Sequence, residues 1–231
     1  MQFSSPLTDG ILIKRYKRFL ADIQLADGNV IIAHCPNTGT MLTCSRPGSA
    51  VCLSTSDNPK RKYQYTLEMI KVGATWVGVN TARSNRLVAE ALINGQIAEF
   101  RKVEKVVAEI KTSSHTRLDL KIMTGDCSTY LEVKNCSLVI DGCAMFPDAV
   151  TVRGTKHLHE LTRLVEEGSG AAIFFLVQRL DADRFAPAVH IDPDYAQALK
   201  LAIAAGVRVL VYQARVSPEG IHVVNSLPLV F

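Results

Sequence analysis

Asp119 lies in the run Arg117-Leu118-Asp119-Leu120-Lys121, and Glu132 and Lys134 lie in Tyr130-Leu131-Glu132-Val133-Lys134. Both runs alternate polar and apolar residues with period two, which predicts two strands with Asp119, Glu132 and Lys134 on one face and Leu118, Leu120, Leu131 and Val133 in a core. A two-residue turn at Gly125-Asp126 sets Thr124 opposite Cys127. Counting outward from that turn sets Asp119 opposite Glu132, with β-carbons roughly 5 Å apart. Two opposed carboxylates resist ionising together unless a cation sits between them. Oxygen ligands of this kind suit Mg²⁺ or Mn²⁺, with waters and phosphate oxygens completing the shell. Lys134 then places a positive charge where an attacking water or a developing phosphoryl charge lies. An Asp followed by Glu-x-Lys is therefore the pattern of a metal-dependent nuclease. The plainer reading is a set of solvated strand charges, each pair contributing under about 1 kcal/mol.

A chain of 231 residues suits one large or two small domains, and 48% hydrophobic content supports a real core. No run of 18 apolar residues occurs, and Met1-Gln2-Phe3-Ser4-Ser5-Pro6 lacks the basic-then-apolar layout of a signal peptide. A cytoplasmic protein without a membrane partner is expected, its six cysteines free thiols. The net charge is +4, and residues 1–75, with nine Lys or Arg against five Asp or Glu, carry all of it. A basic N-terminal module joined to a neutral one fits a polyanion-binding domain followed by a second domain.

The elements that must position these groups follow in order. Strands are expected at 11–19, 21–26, 30–34, 50–54, 63–72 and 75–79, enough for a small barrel of the oligonucleotide-binding (OB) type. Lys14, Arg15, Tyr16, Lys17 and Arg18 on the first strand mix cations with an aromatic ring, and Lys60, Arg61 and Lys62 repeat the theme beside Tyr63. Such surfaces hold phosphates and stack bases, although a charged edge strand guarded against aggregation has the same composition. His34-Cys35-Pro36-Asn37-Thr38-Gly39 reads as a turn, since one His and one Cys are too few ligands for zinc. A helix at 84–94, with Ser84 as cap and Gly95 as stop, carries Glu90 as a boundary residue. Strands at 103–111, 117–123 and 128–139 form a meander. A helix at 155–167, a buried strand at 171–178, a helix at 192–205 begun by Asp192-Pro193 and a strand at 207–212 follow. The expected class is mixed α/β, with an OB-like barrel over 1–80 and a mixed sheet with helices on its faces over 81–231.

Asp on the second meander strand with Glu-x-Lys on the third resembles the PD-(D/E)XK nuclease superfamily, with Leu118 standing where the proline belongs. The whole chain is similar to the bacterial sugar fermentation stimulation protein A (SfsA) family. The residues that carry the likeness are His34 to Gly39, Ser56-Asp57-Asn58-Pro59-Lys60-Arg61-Lys62, Trp76-Val77-Gly78-Val79-Asn80-Thr81, Asn85-Arg86-Leu87-Val88, Glu132-Val133-Lys134, Phe146-Pro147-Asp148-Ala149-Val150-Thr151 and Arg153-Gly154-Thr155-Lys156-His157-Leu158. The resemblance implies a DNA-binding protein linked to maltose and sugar utilisation, with an OB-like and a nuclease-like domain. It makes Asp119 and Glu132 metal ligands, Lys134 the residue that positions or activates the water, and Glu90 a third acidic ligand with Glu109 as rival. Arg153, Lys156 and His157 at a helix start are candidate phosphate contacts or solvated charges.

Two activities stand against each other at this point. One is a DNA-binding protein of little base preference that hydrolyses phosphodiesters with Mg²⁺ or Mn²⁺; an RNA-processing nuclease shares that chemistry. The other is a non-catalytic DNA-binding regulatory factor, for which no basic helix-turn-helix is evident.

Overall fold

The computed structural model describes residues 1–114 and 116–231. The chain opens with six strands, β1 (Thr8–Tyr16), β2 (Leu20–Leu25), β3 (Val30–His34), β4 (Ala50–Thr55), β5 (Tyr65–Val72) and β6 (Thr75–Gly78). They form one sheet in the order β3-β2-β1-β4-β5-β6, and a parallel pairing of Ala33 with Tyr65 and His34 with Thr66 joins β3 to β5. That contact closes a five-stranded barrel, which leaves β1 to β5 without a free edge. Leu12, Ala21, Ile23, Leu53, Leu67 and Ile70 fill it. β1 and β2 are joined by a tight turn in which Lys17 and Arg18 take φ of 49° and 63°.

A 3₁₀ turn (Thr81–Arg83) leads into α1 (Ser84–Ile93). Ser84 is the first helical residue and not the cap. Asn80 does that work one turn earlier, its side chain accepting from the Ala82 N–H. The second domain has β7 (Lys105–Lys111), β8 (Arg117–Thr124), β9 (Cys127–Cys136), β10 (Leu138–Ile140), β11 (Cys143–Phe146), α2 (Val152–Glu166), β12 (Gly170–Val177), β13 (Arg184–Pro187), α3 (Pro193–Ala204), β14 (Arg208–Ser217) and β15 (Gly220–Ser226). Its main sheet runs β15-β14-β12-β9-β8-β7, with β9, β12 and β14 parallel and the outer pairs antiparallel. Leu87, Val88, Leu92, Leu120, Leu131, Val133, Phe174 and Leu176 form the core under α1. Leu158, Leu161, Ile173, Phe175, Tyr195 and Leu199 form the core under α2 and α3. With a helix layer on each face, β12 is apolar throughout and buried on both sides.

β10, β11 and β13 make a small second sheet that no periodicity announces, because strands of three or four residues are too short to alternate visibly. α2 begins at Val152, three residues before the expected start, since Thr151 caps it by accepting from the Gly154 N–H. β14 runs on to Ser217, past the expected end at 212, and turns back at Pro218-Glu219 into a further strand, β15.

The two modules are bonded together. Glu68, fully buried in β5, accepts two 2.5 Å hydrogen bonds from Arg83, a third from Asn80 and a fourth from Ser54. Asp148 of the second domain accepts from the Met41 N–H at 3.0 Å, and the Thr40 hydroxyl donates to the Asp148 carbonyl at 2.9 Å.

Candidate active site

β8 and β9 pair in the expected register, Thr124 opposite Cys127 and Leu120 opposite Leu131. The ladder ends there, one step before Asp119 would meet Glu132. On the other side, the β7–β8 pairing skips the Glu109–Asp119 position, where Glu109 has φ of 57°. Leu118 and Leu120 share a parity yet pack into opposite cores, so β8 turns over at Asp119. This is the local distortion that frees the Asp119 carboxylate from the ladder. One of its oxygens accepts from the Val133 N–H at 2.8 Å, an amide at the end of the ladder, and the other accepts from Asn85 Nδ2 of α1 at 2.8 Å.

Glu132 is 2% exposed, on the α2 side of β9. Its Oε1 accepts from Lys134 Nζ at 2.6 Å and, more closely, from His157 Nδ1 of α2. Arg153 Nε donates to His157 Nε2 at 3.4 Å, which assigns the ring proton to Nδ1, the atom that faces Glu132. The other oxygen of Glu132, Oε2, is buried and has no hydrogen-bond partner. Burial opposes ionisation of Glu132, but the His157 hydrogen bond and the Lys134 charge together hold its pKa below the usual glutamate value. Asp119 goes the other way. Desolvation first and the Glu132 charge second raise its pKa, against the Val133 and Asn85 hydrogen bonds and the Lys134 charge. These are two carboxylates within each other's field, one pinned as an anion and one resisting ionisation. A divalent cation held between the two carboxylates would relieve that conflict.

Asp119, Glu132, Lys134 and His157 are brought together as a unit. His157 is 6% exposed and bonded to Glu132, so it is not the solvent-facing phosphate contact expected of it. Lys156 is exposed and faces away from the acid pair, beside His159 and Asp194. Arg153 reaches the site only through His157. Glu90 ion-pairs with the Met1 ammonium at 2.6 Å. Five positions after Asn85 on an α-helix, it points about 140° away from the side chain that touches Asp119. The rival Glu109 pairs with Arg117 at 2.8 Å on the surface. Among the described residues no three His, Cys, Asp or Glu side chains form a ready metal cage. Asn85 and His157 are the site residues that spacing alone did not assign. Each is a helical side chain that only the packing of its helix on the sheet aims at the pair.

The basic residues of the barrel divide. Lys17, Lys60 and Lys62 are exposed, Lys62 lying against the Tyr63 ring. Lys14 sits 3.5 Å from Asp22 and over the Tyr16 ring. Arg61 donates to the Thr66 hydroxyl. Arg15, partly exposed, donates to the carbonyls of Arg18, Asn37, Gly39 and Thr40, so it staples the 37–40 loop to β1. The loop so held is one wall of a cleft of about 380 Å³ between the two domains, bounded by Arg18, Gly39, Thr81, Lys134, Phe146 and Asp148 among others. Lys134 lies on its floor, with Glu132 behind. All six cysteines are free thiols, and burial raises the pKa of Cys35, Cys44, Cys52, Cys136 and Cys143. No helix among the described residues is long and apolar enough to cross a membrane.

Residues 82–220 match the family model described as "Sugar fermentation stimulation protein RE domain", and residues 13–79 match the one described as "SfsA N-terminal OB domain". The chain is 56% identical over 230 residues to a "Sugar fermentation stimulation protein homolog" of Desulfotalea psychrophila, covering 100% of this chain and 95% of that one. It is 49% identical to the homolog of Geobacter sulfurreducens, covering 97% and 96%. Among solved structures, one described as "The structure of Pyrococcus Furiosus SfsA in complex with Ca2+" superposes with a TM-score of 0.91 at 24% identity, covering 100% of this chain and 98% of that one.

Proposed function

The chain belongs to the sugar fermentation stimulation protein family, and from that premise we propose that it binds nucleic acid and hydrolyses phosphodiester bonds with Mg²⁺ or Mn²⁺ held by Asp119 and Glu132. The observation that carries the reading is the buried, unpartnered Oε2 of Glu132 beside a carboxyl group whose ionisation it opposes. A native protein does not leave a buried anionic oxygen unpaired without a reason, and a hard divalent cation is the partner these two oxygen donors suit. The Ca²⁺ of the archaeal relative is an ion of that class. The second domain is then of the PD-(D/E)XK type.

Each residue has a task. Asn85 and the Val133 amide fix the direction of Asp119. His157 occupies the Oε1 side of Glu132 and leaves Oε2 as the oxygen that would hold the ion. Bound there, Mg²⁺ or Mn²⁺ supplies Lewis-acid stabilisation of the phosphoryl oxygens and a water acidified towards neutral pH. Lys134, at the floor of the cleft, puts an ammonium beside the scissile group, where it stabilises the charge that develops there. Lys17, Arg18, Lys60 and Lys62 hold the phosphodiester backbone of DNA, or of RNA, by charge and with little base preference.

Single-turnover cleavage of labelled DNA and RNA with Mn²⁺ tests the reading. Lys134→Ala lowers the rate by about 100-fold or more, the scale of losing one stabilising donor, and chelator abolishes it. Cleavage unchanged in that variant contradicts the proposal. A second reading, binding without turnover, rests on Lys134 being held 2.6 Å from Glu132. Tight binding with no cleavage under any divalent cation supports it instead.

A further inference from the structure

The cleft that leads to Lys134 also bears on which form of nucleic acid reaches the site. Its volume is about 380 Å³, at the small end of ligand pockets and enough for one nucleotide. Duplex DNA presents two backbones around a major groove about 12 Å wide and cannot be inserted there. The walls are not free to part. Gly39 lies so close to Asp148 that a β-carbon on it would sit 2.4 Å from the carboxylate. The same carboxylate accepts the Met41 amide, the Thr40 hydroxyl bonds the Asp148 backbone, and Arg15 fixes the loop from behind. Arg18, on its left-handed turn, is a cation bordering the cleft, and half-buried Phe146, whose ring packs on Phe175 and Tyr195, is among the residues that line it. A cation for phosphate beside a space of single-nucleotide size suits one strand and not two.

We propose that this cleft admits one unpaired nucleic-acid strand, nucleotide by nucleotide, and excludes duplex, so that the acid–lysine site acts on single-stranded ends or gaps. The proposal rests on the hydrolase reading and adds the strandedness of its substrate. DNA and RNA single strands share the required chemistry, and separate probes distinguish them.

The test reads binding and not cleavage. Fluorescence anisotropy is measured in chelator with labelled single-stranded DNA and RNA of about 12 nucleotides and with the matching DNA duplex. The expected result is single-strand affinity at least about tenfold above duplex. Val150→Trp at the mouth, where Val150 is 70% exposed, and Ala149→Trp within the cleft both remove that preference and leave duplex affinity within about twofold. Duplex bound as tightly as single strand, or a preference that survives both tryptophans, overturns the proposal. Because chelator suppresses turnover, a failure here is separate from a failure of the hydrolase reading, which the Lys134→Ala cleavage assay decides.

Discussion

Glu132 holds two cationic or proton-donating neighbours on one oxygen and none on the other, and that asymmetry sets what each neighbour is for. His157 touches Glu132, so under the proposed function it acts through that carboxylate as a positioning residue. His157→Ala should lower the Mn²⁺-dependent rate about tenfold and raise the apparent Mn²⁺ requirement, whereas Lys134→Ala should lower the rate and leave that requirement nearly unchanged; a metal titration of single-turnover rates separates the two. Away from the site, Arg179 is 2% exposed and makes two 2.6 Å bonds to Asp181, whose side chain is 36% exposed. Burial works against ionisation of Asp181, but the Arg179 hydrogen bonds and charge dominate and depress its pKa below 3.8. A depressed folded-state pKa stabilises the fold at pH above the unfolded value near 3.8, and that contribution is lost as pH falls through the folded value. Asp181→Asn should therefore cost about 1–3 kcal/mol at pH 7, allowing for the exposed side of the pair. In urea titrations the difference from the parent chain should vanish at pH below both values.

At the level of elements, β1 and its turn carry a structural cation, Arg15, close to two exposed ones, Lys17 and Arg18, that the proposed function assigns to binding. Arg15→Ala should lower the melting temperature by several degrees, because four loop carbonyls lose their donor, yet leave the salt dependence of DNA binding unchanged. Lys17→Ala with Arg18→Ala should do the reverse, with little change in melting and a salt slope shallower by about 1.5. Composition alone could not separate them, since a run Lys-Arg-Tyr-Lys-Arg looks uniformly solvated. The hairpin was legible because Gly125-Asp126 fixes the turn and the alternation fixes the faces. The reversal of β8 at Asp119 was not, since it depends on two cores competing for Leu118 and Leu120. Glu90 drew attention as an acid on the right helix, but its angle on that helix places Asn85, a neutral residue with no ligand signature, against Asp119. The start of α3 at Asp192-Pro193 is legible because proline's fixed dihedral favours the first turn, and the structure adds that Asp192 caps it by accepting from the Tyr195 N–H.

For the whole molecule, the domain junction and the site share components. Arg83 precedes α1, which carries Asn85, and its guanidinium is bound to the fully buried Glu68 of the barrel. Arg83→Ala leaves that carboxylate without its cation and should cost about 3–5 kcal/mol. Chemical denaturation should then show the barrel and the second domain melting in separate steps, where the parent chain melts in one. Beneath all of this is the claim that Asp119 and Glu132 together hold one divalent cation. The direct measurement is paramagnetic resonance of free Mn²⁺ titrated into metal-free protein. One Mn²⁺ bound per chain, lost in Glu132→Gln and kept in Lys134→Ala, which leaves Oε2 and the His157 bond to Oε1 in place, is the result expected. Mn²⁺ binding indifferent to Glu132→Gln, or no Mn²⁺ bound by the parent chain, contradicts the account.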